Sequence, residues 1–129
     1  MIVNDWPPNI EAIRAVLPVS ESNIFAYGNK IYNPGGSELP DWLIAHEHTH
    51  FVQQNLYGLR RWWKRFLTDE AFRLDQELEA HRTEYRVFCR LNLDRNARAR
   101  QLSEMGRRLA APMYGGIITA REAMKEIRA

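Results

Sequence analysis

The chain has 129 residues, 45% of them hydrophobic, and a formal charge of +2, which suits one domain with one core and excludes wholesale disorder. No apolar run approaches the ~20 residues of a membrane-spanning helix, and the N-terminus lacks the basic start and apolar stretch of a secretory signal. The lone cysteine, Cys89, excludes an intrachain disulfide, so a soluble cytoplasmic protein is the expectation.

In chain order, Trp6-Pro7-Pro8 leads in extended, and a short helix is predicted from Pro8 or Asn9 to Leu17, stopped by Pro18. Residues 23–33 read as a β-hairpin turning at Gly28-Asn29, followed by a loop at Asn33-Pro34-Gly35-Gly36-Ser37. A helix is predicted from Leu39 or Pro40 to Leu56, with Gly58 placed to end it. The aromatic-basic segment Arg60 to Leu67 follows without an assigned helix. Thr68 or Asp69 then caps a long helix from Glu70 to about Leu93. Asp94 or Asn96 caps another to Leu109, Pro112 to Gly116 is a break, and Thr119 caps a last helix, Ala120 to Ile127. The expected architecture is mainly α (α+β), a single domain over residues 1–129.

Residues 46–50 read His-Glu-His-Thr-His, an H-E-x-x-H pattern. Histidines four apart lie one turn above the other on a helix, so His46 and His50 can share one zinc ion with Glu47 beside it as general base. The apolar residues of this helix (Leu43, Ile44, Ala45, Phe51, Val52, Leu56) fall on more than one side, which suggests a central helix. His48 points elsewhere, in a polar stripe with Asp41 and Asn55, and is expected to be solvated.

A catalytic zinc usually takes three protein ligands. In the long helix Leu74, Leu78, His81, Tyr85 and Phe88 form the inward stripe, Glu77 lies at its edge, and Glu79 falls on the solvent side. Glu77 is the expected third ligand, with Glu70 and Glu84, one heptad before and after, as alternatives.

His46-Glu47-x-x-His50 followed by Glu77-x-x-Ala80-His81 resembles the gluzincin class of zinc metallopeptidases, in a minimal zincin-like form. Glu47 to Gln54, Trp62-Trp63 through Tyr85, and Met113 to Thr119 with Glu122-Ala123 are similar to small uncharacterised peptidases of bacteriophage genomes. The resemblance implies zinc on His46, His50 and Glu77, Glu47 as general base, and peptide or protein substrates. Position 81 departs from it: the larger families carry aspartate there to orient a zinc histidine. His81 is therefore expected to orient His46 or Glu77, to stabilise the oxyanion, or to bind the metal itself. Tyr85, His81 and Tyr114 are the candidates for that oxyanion role. In related zincins an edge strand pairs with extended substrate, and the Phe25 to Tyr32 hairpin is the one strand-like segment available.

Two readings compete. Eight arginines against three acids between Arg82 and Arg108, together with Arg60-Arg61-Trp62-Trp63-Lys64-Arg65, raise nucleic-acid binding. Neither segment matches a nucleic-acid module, and Arg82, Arg86 and Arg90 form a single stripe whose ion pairs are easily met, so that role is disfavoured. The other reading is a non-catalytic zinc-binding structural or interaction protein, for example a phage virion component with a protein partner.

Overall fold

The computed structural model describes residues 1–129. It is mainly helical with one small sheet: β1 (Ile2–Val3), α1 (Ile10–Arg14), β2 (Phe25–Tyr27), β3 (Lys30–Tyr32), α2 (Asp41–Tyr57), α3 (Leu59–Thr68), α4 (Glu70–Leu91), α5 (Arg95–Leu109) and α6 (Ala120–Arg128). A short 3-10 turn, Pro112–Tyr114, joins α5 to α6. No helix is long and apolar enough to cross a membrane.

The hairpin forms where expected, β2 antiparallel to β3 around Gly28, whose φ of 68° suits a residue without a Cβ. Its third strand was not expected. Ile2–Val3 pairs parallel with β3, Ile31 donating to the Met1 carbonyl and Asn33 to the Val3 carbonyl, each at 2.8 Å. Two residues are too few to show alternation. The order β1-β3-β2 leaves β2 at an edge.

Helix α2 ends at Gly58, as expected, with φ 88°. Asp69 caps α4 by accepting from the Phe72 amide, and Asp94 caps α5 by accepting from Asn96. Thr119 and Glu122 form a reciprocal capping box on α6. Two apolar cores result. One comprises Leu74, Leu78, Leu102, Met105, Leu109, Tyr114, Ala123 and Ile127. The other is built from Ile13, Phe25, Trp62, Trp63, Phe66 and Phe72.

Helices α5 and α6 pack closely at Gly106. A Cβ there would stand 2.7 Å from the Ala120 carbonyl oxygen and 2.7 Å from Met124 Cγ. Alanine gains about 1 kcal/mol of helix propensity over glycine, but overpacking against fixed backbone costs about 1–3 kcal/mol. Gly106→Ala is therefore expected to lower the thermal unfolding midpoint. A raised midpoint would show that α5 and α6 do not approach this closely.

Candidate metal centre

Helix α2 turns a polar face inward. Its buried residues are His46, Glu47, His50, Gln53 and Gln54, every one of them polar, whereas Val52 and Leu56 are 58% and 78% exposed. The expectation of a helix buried on several sides is thus corrected: its apolar residues near the C-terminus face outward. Burying five polar side chains costs free energy unless each finds a partner, so the partners define the site.

Opposite lies α4, with Glu77, His81 and Glu84 all buried. Nε2 of His50 is 2.8 Å from Glu77 Oε1, and Nε2 of His46 is 3.3 Å from Glu77 Oε2. The far sides of both rings are held. His46 Nδ1 meets Glu84 Oε1 at 2.8 Å, and His50 Nδ1 meets Gln53 Oε1 at 2.8 Å. Gln53 is held in turn by donating to the Gln76 carbonyl and to Glu79 Oε1, each at 3.0 Å. Glu79, exposed as expected, thus still supports the site.

These contacts set the tautomers. Carboxylate and amide oxygens accept only, so Nδ1 of each neutral ring carries the proton and Nε2 keeps its lone pair. Both lone pairs then face Glu77 oxygens, acceptor against acceptor at hydrogen-bond distance. Such an arrangement needs a positive charge between the groups, either a proton or a metal ion. His46, Glu77 and His81, and likewise His46, Glu47 and His50, bring their ligand atoms within 4.8 Å of one another. Three buried carboxylates, Glu47, Glu77 and Glu84, add to the demand for a cation. The residues fit a divalent metal.

Without a metal, protons must do the same work. Burial alone would lower His46, but the Glu77 charge and hydrogen bonds to Glu77 and Glu84 outweigh it and hold the imidazole well above its usual range. His50 is likewise raised, burial being overcome mainly by Glu77. Glu77 is held well below the carboxylate range because His50 and His46 outweigh its burial. A metal must displace those imidazole protons. Metal affinity is accordingly expected to fall as pH drops from about 8 to about 6, approaching a hundredfold per unit where both rings are protonated. Competition titration against a chelator at several pH values checks this; a flat profile would contradict it.

Glu84 sits at 0% exposure and also accepts from Gln101 Nε2 at 3.2 Å. It meets the far nitrogen of His46, on the side of the ring away from Glu77, where a carboxylate can orient the imidazole. The His46 ring thus finds its hydrogen-bond partner in Glu84, while position 81 contacts Glu77. Glu84→Ala is expected to weaken metal binding about 10–100-fold, as loss of an outer hydrogen-bond partner does, with Glu84→Gln in between. Unchanged affinity in both variants would remove Glu84 from the site. Glu70 is exposed in the first turn of α4 and is excluded as a ligand. His48 is exposed, as expected.

His81 donates from Nδ1 to the Glu77 carbonyl, 2.7 Å away, while its Nε2 is buried without a partner. Burial and the neighbouring His46 lower its pKa to about 4, so the ring is neutral. Its ring centroid is 4.9 Å from that of His46.

The two tyrosine candidates separate. Tyr114 lines the same cavity of about 730 Å³ as His46, Glu47, His50 and Glu77. Burial and then the Glu77 charge raise its hydroxyl pKa, so it stays a proton donor. Tyr85 does not line that cavity; it packs against the α4–α6 core and faces Cys89. The expected oxyanion role for Tyr85 is corrected by this placement. Eight residues carry it about 12 Å along the helix beyond Glu77.

Several supporting residues carry no sequence motif. Trp62 Nε1 donates to Gln76 Oε1 at 2.8 Å, and its ring lies 5.2 Å from that of His50. The buried Arg73 donates to the Phe66, Leu67 and Met113 carbonyls, fixing the turn that carries Tyr114. Gln54 donates to the Ala26 carbonyl at 2.8 Å and accepts from the Gly28 amide at 3.0 Å. It ties the turn end of β2 to α2, so less of that strand is free to pair with another chain. Arg108 brings a guanidinium to the cavity wall. Comparison with protein-family models, curated proteins and solved structures finds no match for this chain.

Proposed function

We propose that the protein is a zinc-dependent metallopeptidase in which His46, His50 and Glu77 hold the metal and Glu47 is the general base. The observation that carries this reading is the inward polar face of α2, with two imidazole lone pairs converging on Glu77 and a further carboxylate, Glu47, left in the cavity. Two nitrogens and one carboxylate suit zinc with one coordination position left open. Zinc bound there would lower the pKa of a bound water towards ~7 and polarise a carbonyl.

The chain's own residues supply the remainder. Glu47 is 4% exposed, and burial raises its pKa, with His46 and His50 pulling it back, so it takes a proton more readily than a solvated carboxylate does. It would take the proton from the attacking water and return it to the leaving amine. Tyr114, protonated and on the cavity wall, would donate to the developing oxyanion. Trp62, Trp63 and Phe66 wall the cavity with apolar surface and limit water.

The test is incubation with a denatured protein mixture and mass-spectrometric detection of new termini. Cleavage should vanish on chelation and return with zinc. No cleavage by the zinc-loaded protein would argue for the second reading, a non-catalytic zinc protein. That reading draws on His81, whose unpartnered Nε2 could close the coordination sphere as a fourth protein ligand.

A further inference from the structure

A second site, a shallow and open groove, lies away from the metal centre, where the C-terminal half of α4 meets α5 and α6. Tyr85, Arg86, Arg90, Leu93, Arg98 and Arg128 line it, and no acidic side chain does. Along the sequence Arg82, Arg86 and Arg90 form one stripe on one helix; the fold adds Arg98 from α5 and Arg128 from α6 to two of them.

The charges of this groove are largely uncompensated. Arg82, just outside it, pairs with Glu126 at 3.2 Å and donates to the Glu126 carbonyl. Arg98 is fixed in the wall by donating to the Asn92 and Cys89 carbonyls at the end of α4. Arg86, Arg90 and Arg128 have no ion pair at all, since the salt bridges of the chain lie elsewhere. Arginines left without an ion pair present planar donor forks suited to phosphate oxygens. Arg86 and Arg90, one turn apart on α4, are spaced about 6 Å along its axis, which suits successive phosphates of an extended strand. Tyr85, half-buried in the wall, offers an aromatic surface, and Leu93, 81% exposed, offers an apolar one.

We propose that this groove binds the phosphate backbone of a single-stranded nucleic acid, without sequence preference. The spacing of Arg86 and Arg90, close to that of successive phosphates, and Tyr85 beside them favour a strand over an anionic bilayer. The aromatic-basic segment of α3 is a poorer candidate: its Trp62 and Trp63 are 1% and 8% exposed, so neither can stack on a base. This inference is independent of the peptidase reading.

The test uses a fluorescein-labelled, mixed-sequence single-stranded 20-mer and fluorescence anisotropy on the full zinc-loaded chain. Each phosphate neutralised on a single strand contributes about −0.7 to the slope of log affinity against log salt, so three free arginines predict a slope of about −2. Affinity should then fall roughly tenfold to twentyfold between about 50 and 200 mM salt. Arg86→Ala/Arg90→Ala should weaken binding more than tenfold at low salt and flatten the slope. Arg60→Ala/Arg61→Ala, on α3, removes the same charge from the chain and should change affinity less than twofold. Equal melting midpoints for the two doubles check that folding is intact; if the first double melts lower, Arg128→Ala alone replaces it and should weaken binding severalfold. Absence of binding at low salt, or equal loss in the two doubles, would overturn the proposal. So would anisotropy indifferent to Arg86 and Arg90 while co-sedimentation with phosphatidylserine vesicles depends on them, which would assign the groove to a lipid surface.

Discussion

Replacing Glu47 with glutamine is expected to leave zinc affinity within a few fold of the parent chain and to lower peptide turnover about a hundred- to ten-thousandfold. The substitution keeps the volume of the side chain and removes its ability to hold a proton. Glu47 lies near His46, with Oε2 3.7 Å from His46 Nε2, a longer approach than the 2.8 and 3.3 Å at which Glu77 meets His50 and His46. On the proposed reading its loss therefore withdraws a base and not a ligand. Measuring zinc content and turnover on one preparation separates these effects. A variant that kept full turnover would exclude Glu47 as the base, and one that lost its zinc would make it a ligand.

Glu77→Ala is expected to have the larger effect on the metal. Glu77 is the group on which both imidazoles converge, at 2.8 and 3.3 Å, and it is 7% exposed. On the proposed reading, removing it takes away a ligand and the negative charge that would balance the cation. The loss of zinc affinity should exceed the ~10–100-fold penalty of losing an outer partner such as Glu84. Glu70→Ala, at an exposed position, is the matched control and should fall within about 0.5 kcal/mol of the parent in stability. Chelator competition on the three variants should rank them Glu77 far below Glu84, and Glu84 below Glu70. A Glu77 variant that binds zinc as the parent does would reassign the ligand set.

Much of this was legible in local spacing. His46, Glu47 and His50 are fixed in relation to one another by helical geometry alone, and Gly58, Asp69, Asp94 and Thr119 mark helix ends by their own backbone and capping chemistry. Helix α3 was also written in the sequence: Leu59, Trp62, Trp63 and Phe66 fall at helical spacing, and the structure buries the three aromatics together. Glu84 was a different matter. Glu70, Glu77 and Glu84 share one face of α4 at heptad spacing, and only the crossing of α2 over α4 decides which meets a ring at Nε2 and which at Nδ1. Tyr85 and Tyr114 could not be ranked for the same reason, since Tyr114 reaches the cavity through a turn held by Arg73 from a distant part of the chain. The convergence of Arg98 and Arg128 on Arg86 and Arg90 depends on the packing of three helices and leaves no periodic trace.

The metal centre is tested most directly by X-ray absorption spectroscopy at the zinc edge of the zinc-loaded chain, which counts imidazole ligands. One zinc per chain with two imidazoles, from His46 and His50, is expected, the remaining ligands being oxygen. A third imidazole would place His81 on the metal and close the site, and a chain that takes up no zinc would rule out the zinc centre.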